Sequence, residues 1–252
     1  PTLAAVLVRM NRDPDIAHKL SESMRHFFCG TAPLTIDLRQ SFRATFGCSL
    51  QESYGMSEVL LVATQTRTEA DTQINIGQLL PGVYATFRVI PEFSEPELII
   101  NTPYALTSYV LEDGESSPLL AVGGMPSGDI GKIENDALTI TGRLKDLIIR
   151  GGLNVSPIAV EKVIQREPGV QEVAVVGLQN DIWGESIVAC LVVKTGINVD
   201  ELQAKLHLRC TKELAEGMRP DDYVWLNDLP RASTGKVQKH FLIERLTSPE
   251  PE

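Results

Sequence analysis

Residues able to do chemistry lie in a few short runs of this chain. A Gly-Met-Ser-Glu-Val run at 55–59 places Ser57 where a nucleophile elbow would hold its serine. The sharp turn of an elbow needs a small residue at its last position, and Val59 stands there, so a serine hydrolase is not indicated. A Thr-Gly-Lys-Val run at 234–237 resembles the end of a phosphate loop. Pro230 falls where that loop's first glycine belongs, and Val237 replaces the hydroxyl that would hold Mg²⁺. No G-x-G-x-x-G run is present. The richest stretch is 127–164, with a Gly128-Asp129 pair, an Arg143-Leu144-Lys145-Asp146 cluster, and Gly151-Gly152 ahead of a helical pattern. It reads either as an ordinary strand-turn-helix passage or as a joint between two domains with chemistry on it.

The elements that must position these residues follow from periodicity. Helical spacing of apolar residues predicts helices over 14–28 and 35–47, the second stopped by Gly47. Residues 48–58 read as strand and loop. From about 70 to 140 short runs punctuated by Pro, Gly and Asn predict a compact antiparallel β region, with strands at 74–78, 85–90, 96–102, 118–122 and 137–142. After Arg143 the pattern alternates: strand, helix 156–167, strands 170–178 and 186–194, a helix capped by Asn198 or Asp200, a last strand at 222–229 and a short C-terminal helix. The expected fold is therefore α/β and α+β. An α/β layer with a β-barrel-like region occupies 1–142, a hinge occupies 143–146, and a small α+β domain occupies 147–252.

Bulk properties narrow the partners. A chain of 252 residues, 43% hydrophobic, can bury a real core. Its net charge of −10 argues against a nucleic acid or an anionic membrane as the main partner, while leaving room for a small anion held by local cations. Cysteines 29, 48, 190 and 210 form no C-x-x-C pair, and no apolar run approaches the ~20 residues of a membrane span. Reduced thiols in a cytoplasmic setting are expected. The first residue is Pro1 rather than Met, which suggests a processed chain or a fragment.

Four stretches together resemble one family, the adenylate-forming acyl-CoA synthetases with their aryl-CoA ligase, luciferase and adenylation-domain relatives. Gly30-Thr31-Ala32-Pro33 looks like that family's adenine-edge loop, and Glu52-Ser-Tyr-Gly-Met-Ser-Glu58 is similar to its Y-G-x-[TS]-E motif. Ser127-Gly-Asp129 followed by the run from Gly142 to Pro157 resembles its ribose-binding Asp, hinge and following loop, and Leu229–Lys239 resembles its C-terminal lysine motif. The resemblance implies a large N-terminal domain, here only its end, joined to a small mobile C-terminal domain. Such enzymes make an acyl-adenylate from a carboxylic acid and ATP, then pass the acyl group to coenzyme A or to a carrier-protein thiol. A truncated, non-catalytic nucleotide-binding relative is the third possibility. The family's Ser/Thr/Gly-rich phosphate loop would lie before Pro1, so about half of a complete enzyme is expected upstream, and this stretch alone is expected to be inactive in adenylation.

Site roles come from the same resemblance. Tyr54 would stack on adenine, beside Gly30, Thr31, Ala32 and Pro33, with Gly55 and Met56 completing the nucleotide and acyl surface. Ser57 would donate to a phosphate, and Glu58 would hold Mg²⁺. Asp129 would accept from both ribose hydroxyls of ATP or AMP, with Arg143 as a further donor. Lys145 takes the hinge position, Gly151 and Gly152 would clear a path for the thiol arm of coenzyme A, and Lys236 would reach the carboxylate and α-phosphate during adenylation.

Overall fold

The computed structural model describes residues 2–10, 14–24, 26–30, 34–72, 75–91, 96–110, 114, 116–118, 123–233 and 235–248. It divides into two compact units, Pro1–Ile140 and Thr141–Glu252. The chain is mixed α/β with two mixed sheets.

In the first unit, α1 (Thr2–Met10) and α2 (Pro14–Ser23) precede β1 (Phe27–Cys29), α3 (Ile36–Phe46), β2 (Leu50–Met56), β3 (Leu60–Thr64) and α4 (Arg67–Thr72). The strands β4 (Gly77–Leu79), β5 (Tyr84–Arg88), β6 (Glu97–Asn101), β7 (Ser108–Val110), β8 (Ser116–Pro118), β9 (Met125–Glu134) and β10 (Ala137–Arg143) follow. The helix expected over 14–28 stops at Ser23, and the apolar run Phe27–Cys29 pairs as a strand, parallel to β2. A short apolar run does not tell helix from strand by periodicity alone. α3 matches its reading closely. Thr35 Oγ1 accepts from Leu38 N–H, and Gly47 takes the left-handed conformation (φ 67°) that ends the helix.

The larger sheet runs β1-β2-β3-β4-β10-β9-β6-β5. Hairpin β9–β10 turns on Asn135 and Asp136, both at positive φ, which a two-residue turn matching strand twist requires. Phe42, Phe46, Cys48 and Leu50 pack α3 against β2. Val62, Leu98, Ile100 and Leu138 form the core over the remaining strands. The strand expected at 118–122 lies outside the described residues beyond Pro118.

The second unit holds β11 (Ile148–Arg150), β12 (Leu153–Val155), α5 (Pro157–Ile164), β13 (Val170–Asn180), β14 (Gly184–Val193), α6 (Val199–Glu213), β15 (Asp222–Trp225) and α7 (Lys239–Thr247). Its sheet order is β12-β11-β14-β13, with β15 parallel to β14. β14 is apolar almost throughout because both of its faces are covered. Ile187, Ala189 and Leu191 meet α5 and α6, whereas Val188, Cys190 and Val192 share a core with Leu242 of α7. Burying each such Leu or Ile contributes about 1.5–3 kcal/mol. Asn198 caps α6, its side chain accepting from Asp200 and Glu201 N–H.

Candidate active site

The first group of site residues lies on β2, the turn that follows it, and β9. Gly55 sits at a bulge in the β2–β3 pairing, where a Cβ would stand 2.3 Å from the Leu60 carbonyl oxygen. The tight turn 56–60 therefore demands glycine for its own packing, and Leu60 itself adopts φ 61°. That turn presents Met56 and Glu58 half-buried and Ser57 exposed. Glu58 is clamped from two sides. Its carbonyl accepts Leu106 N–H at 2.6 Å, and its carboxylate accepts the Tyr109 hydroxyl at 2.7 Å. The bond to Glu58 pushes the Tyr109 phenol above its ordinary pKa. No role for Tyr109 was legible from spacing, because 51 residues separate it from Glu58.

Asp129 is buried, at 3% exposure, and accepts the Tyr54 hydroxyl at 2.6 Å. The Ser-Gly-Asp turn before it is held in detail. Asp129 N–H donates to Ser127 Oγ at 3.0 Å, Ser127 Oγ donates to the Leu98 carbonyl at 2.7 Å, and Gly128 N–H donates to Glu97 at 3.0 Å. Gly128 takes φ 70°. Glu97 is itself buried and paired with Arg88, a support that the sequence did not reveal because it depends on strand register.

Gly30 is half-buried, while Thr31, Ala32 and Pro33 lie outside the described residues. Cys29 and Leu34, on either side of them, are tied to β2. Ser53 Oγ donates to the Cys29 carbonyl at 3.3 Å, and Leu34 N–H donates to Glu52 at 3.3 Å. Glu52 in turn pairs with Arg39 of α3, each about 10% exposed. Arg39 also donates to Gln65 and to the carbonyls of Leu50 and Ala70.

The remaining site residues belong to the second unit. Arg143 precedes a single 3₁₀ turn, Leu144–Asp146, on which Lys145 is exposed. Gly151 and Gly152 form the two-residue turn of hairpin β11–β12, at φ 56° and 83°. Gly151 N–H donates to the Trp183 carbonyl at 2.7 Å, whereas a Cβ on Gly152 would meet nothing within 4 Å. Lys236 is exposed on a hairpin closed by the antiparallel bridge between Arg231 and Val237. Arg231 ties that hairpin to Glu172, near the start of β13, while Trp183 follows its end. The eight steps along the strand from Glu172 to Asn180, at ~3.3 Å each, separate the two anchors by roughly 26 Å.

Chemically, the first unit offers a buried carboxylate oriented by a phenol, and a partly exposed carboxylate beside a serine hydroxyl. The second offers a lysine and a glycine turn anchored at opposite ends of one strand. Among the described residues no group of three or more His, Cys, Asp or Glu could hold a metal by itself. Among them also, no helix is long and apolar enough to cross a membrane.

Two family models match the chain: AMP-binding enzyme over residues 1–90, and AMP-binding enzyme C-terminal domain over residues 159–236. The chain is 33% identical over 254 residues to the long-chain-fatty-acid–CoA ligase FadD13 of Mycobacterium tuberculosis, covering 98% of this chain and 50% of the relative. It is 26% identical over 255 residues to a long-chain-fatty-acid–CoA ligase of Bacillus subtilis, covering 98% and 45%. Among solved structures, ATP-bound MatB from Rhodopseudomonas palustris superposes with a TM-score of 0.81 at 30% identity, covering 96% of this chain and 49% of that one. The chain thus spans about half the length of the curated relatives it matches. With family models matched at residues 1–90 and 159–236, and with the fold shared, the chain belongs to the adenylate-forming superfamily of AMP-binding enzymes.

Proposed function

We propose that the chain is the nucleotide-binding and thiol-transfer half of an AMP-forming acyl-CoA synthetase, whose phosphate loop lies in a segment preceding Pro1. The observation that carries the reading is the Tyr54–Asp129 bond at 2.6 Å. A carboxylate accepts several hydrogen bonds at once. Asp129, its orientation set by the phenol, suits a ribose diol, and the flat ring of Tyr54 suits adenine. Gly30, Thr31, Ala32 and Pro33 would border the base. Ser57 donates to a phosphate oxygen, and Arg143 adds a donor to the ribose or the phosphate.

The half-buried carboxylate of Glu58, steadied by Tyr109, fits Mg²⁺. That ion is satisfied by one or two carboxylates plus the phosphates of its substrate. When bound it would neutralise phosphate charge. In adenylation a carboxylate oxygen bonds to the α-phosphorus and pyrophosphate leaves, with Lys236 offsetting the charge that develops. In transfer the thiol sulfur bonds to the acyl carbon and AMP leaves, past Gly151 and Gly152. Segment 143–146, with Lys145 exposed on its turn, acts as the hinge between residues 1–142 and 147–252. The two anchors at opposite ends of β13 favour a rotation that presents one end at a time.

The test has two arms. The 252-residue chain alone should catalyse no ATP–pyrophosphate exchange with any carboxylate. Extended upstream to include a phosphate loop, the protein should show carboxylate-dependent exchange and form a thioester with coenzyme A in preference to a phosphopantetheinyl carrier. Exchange by the chain alone, or none by the extended protein, overturns the reading. The relatives named as long-chain-fatty-acid–CoA ligases make fatty acids the first substrates to try.

A further inference from the structure

The hairpin that carries Lys236 is held more firmly than its Ala-Ser-Thr-Gly composition implies. Gln238 N–H donates to the Pro230 carbonyl at 2.8 Å, Ala232 N–H to the Lys236 carbonyl at 2.9 Å, and Gly235 N–H to the Ala232 carbonyl at 2.8 Å. These bonds shape the hairpin without attaching it to the sheet. One side chain does both. Arg231 Nη1 donates to the Gly235 carbonyl at 2.7 Å, one residue before Lys236, and its Nη2 donates to the Glu172 carboxylate on β13 at 2.6 Å. Glu172 faces Val192 in the β13–β14 register, so its backbone belongs to the sheet. On the far side, Lys239 pairs with Glu161 of α5 at 2.8 Å, and Leu229 and Leu242 are buried.

Both Arg231 and Glu172 are about one-third exposed, and exposed ion pairs contribute little to stability. What a planar guanidinium contributes is direction. It holds a backbone carbonyl and a carboxylate at fixed angles, which a single ammonium cannot do.

We propose that Arg231 is a positioning residue for Lys236, a strut that fixes the lysine hairpin against β13 through Glu172. The proposal rests on the reading of Lys236 as the adenylation lysine and goes beyond it, because Arg231 is given no contact with substrate.

Arg231→Ala, Arg231→Lys and Glu172→Ala test it with two readouts. In the 252-residue chain, hydrogen exchange at the Ala232 and Gly235 amides should quicken by about tenfold or more in Arg231→Ala. The Gly151 amide, anchored at the other end of β13, should be unchanged. In the full-length enzyme, Arg231→Ala should lower kcat for adenylation on the order of 10- to 100-fold, the scale of a misplaced catalytic group. KM for ATP and for the acid should stay within about twofold, because substrate contacts are kept. Transfer from a supplied acyl-adenylate to coenzyme A should also be kept. Glu172→Ala should follow Arg231→Ala, and Arg231→Lys should recover only part of the loss. Unchanged exchange, or quickened exchange with an unaffected adenylation kcat, overturns the proposal alone. Absence of adenylation in the unmutated full-length enzyme overturns the functional reading and the proposal with it.

Discussion

The hydroxyl of Tyr54 on β2 meets the carboxylate of Asp129 on β9 at 2.6 Å, across 75 residues of chain. In the sheet order these strands are separated by β3, β4 and β10. Four strand spacings of about 4.8 Å exceed what the two side chains can bridge across a flat sheet, so the sheet curls to bring them together. Removing the hydroxyl while keeping the ring isolates this bond. Tyr54→Phe should weaken AMP binding by about tenfold, the scale of a hydrogen bond to a charged group. Asp129→Ala should weaken it further. Calorimetry with AMP on the full-length protein measures both, and equal affinity for wild type and Tyr54→Phe would remove Asp129 orientation from the account.

The local parts of this arrangement were legible in the sequence, and the long-range parts were not. Gly47 announces the end of α3, Asn198 announces the start of α6, and the apolar run of β14 announces a strand. Each signal lies within a few residues of what it specifies. Arg39 with Glu52, Glu97 with Gly128, and Arg231 with Glu172 carry no such signal, because register and packing choose the partner. Segment 14–28 fails for a related reason. Phe27 and Phe28 extend the helical spacing, yet the sheet takes them as the strand beside β2.

The Arg39–Glu52 pair should be costly to break. Both side chains are about 10% exposed, and removing one partner leaves an uncompensated buried charge. Glu52→Ala should destabilise the first unit by about 3–5 kcal/mol, read from urea unfolding. A loss below about 1 kcal/mol would mean that Arg39 finds other partners at no cost.

Gly55 should tolerate no side chain. The Cβ of Gly55→Ala would sit 2.3 Å from a backbone oxygen of the facing strand, so the β2–β3 turn must open. Expression and melting temperature should fall in the 252-residue chain without any ligand, reflecting a stability loss of about 1–3 kcal/mol typical of overpacking. A fully stable Gly55→Ala that binds AMP poorly would instead favour a contact made only with ligand.

All four cysteines are buried free thiols. Burial pushes the Cys190 thiol up to about 11, and raises Cys48 and Cys210 as well. Since the thiolate is the nucleophile, native protein at pH 8 should react very slowly with an aromatic disulfide reagent. In denaturant all four should react at once. Rapid native labelling of Cys190 would contradict its burial on β14 in the core shared with Leu242 of α7.

On the proposed function, Lys236 and the Gly151–Gly152 turn should serve different half-reactions of one enzyme. Separate assays of the full-length protein decide it: ATP–pyrophosphate exchange for adenylation, and thioester formation from supplied acyl-adenylate for transfer. Lys236→Ala should slow adenylation on the order of 10²–10³-fold and leave transfer nearly intact. Gly152→Leu should do the reverse, with Gly152→Asn as the control that tolerates φ 83° with a smaller side chain. Lys145→Pro should impair whichever step needs the hinge conformation that proline cannot reach. Opposite step selectivity for Lys236→Ala and Gly152→Leu is the expected result, and equal damage to the same step by both would contradict the account.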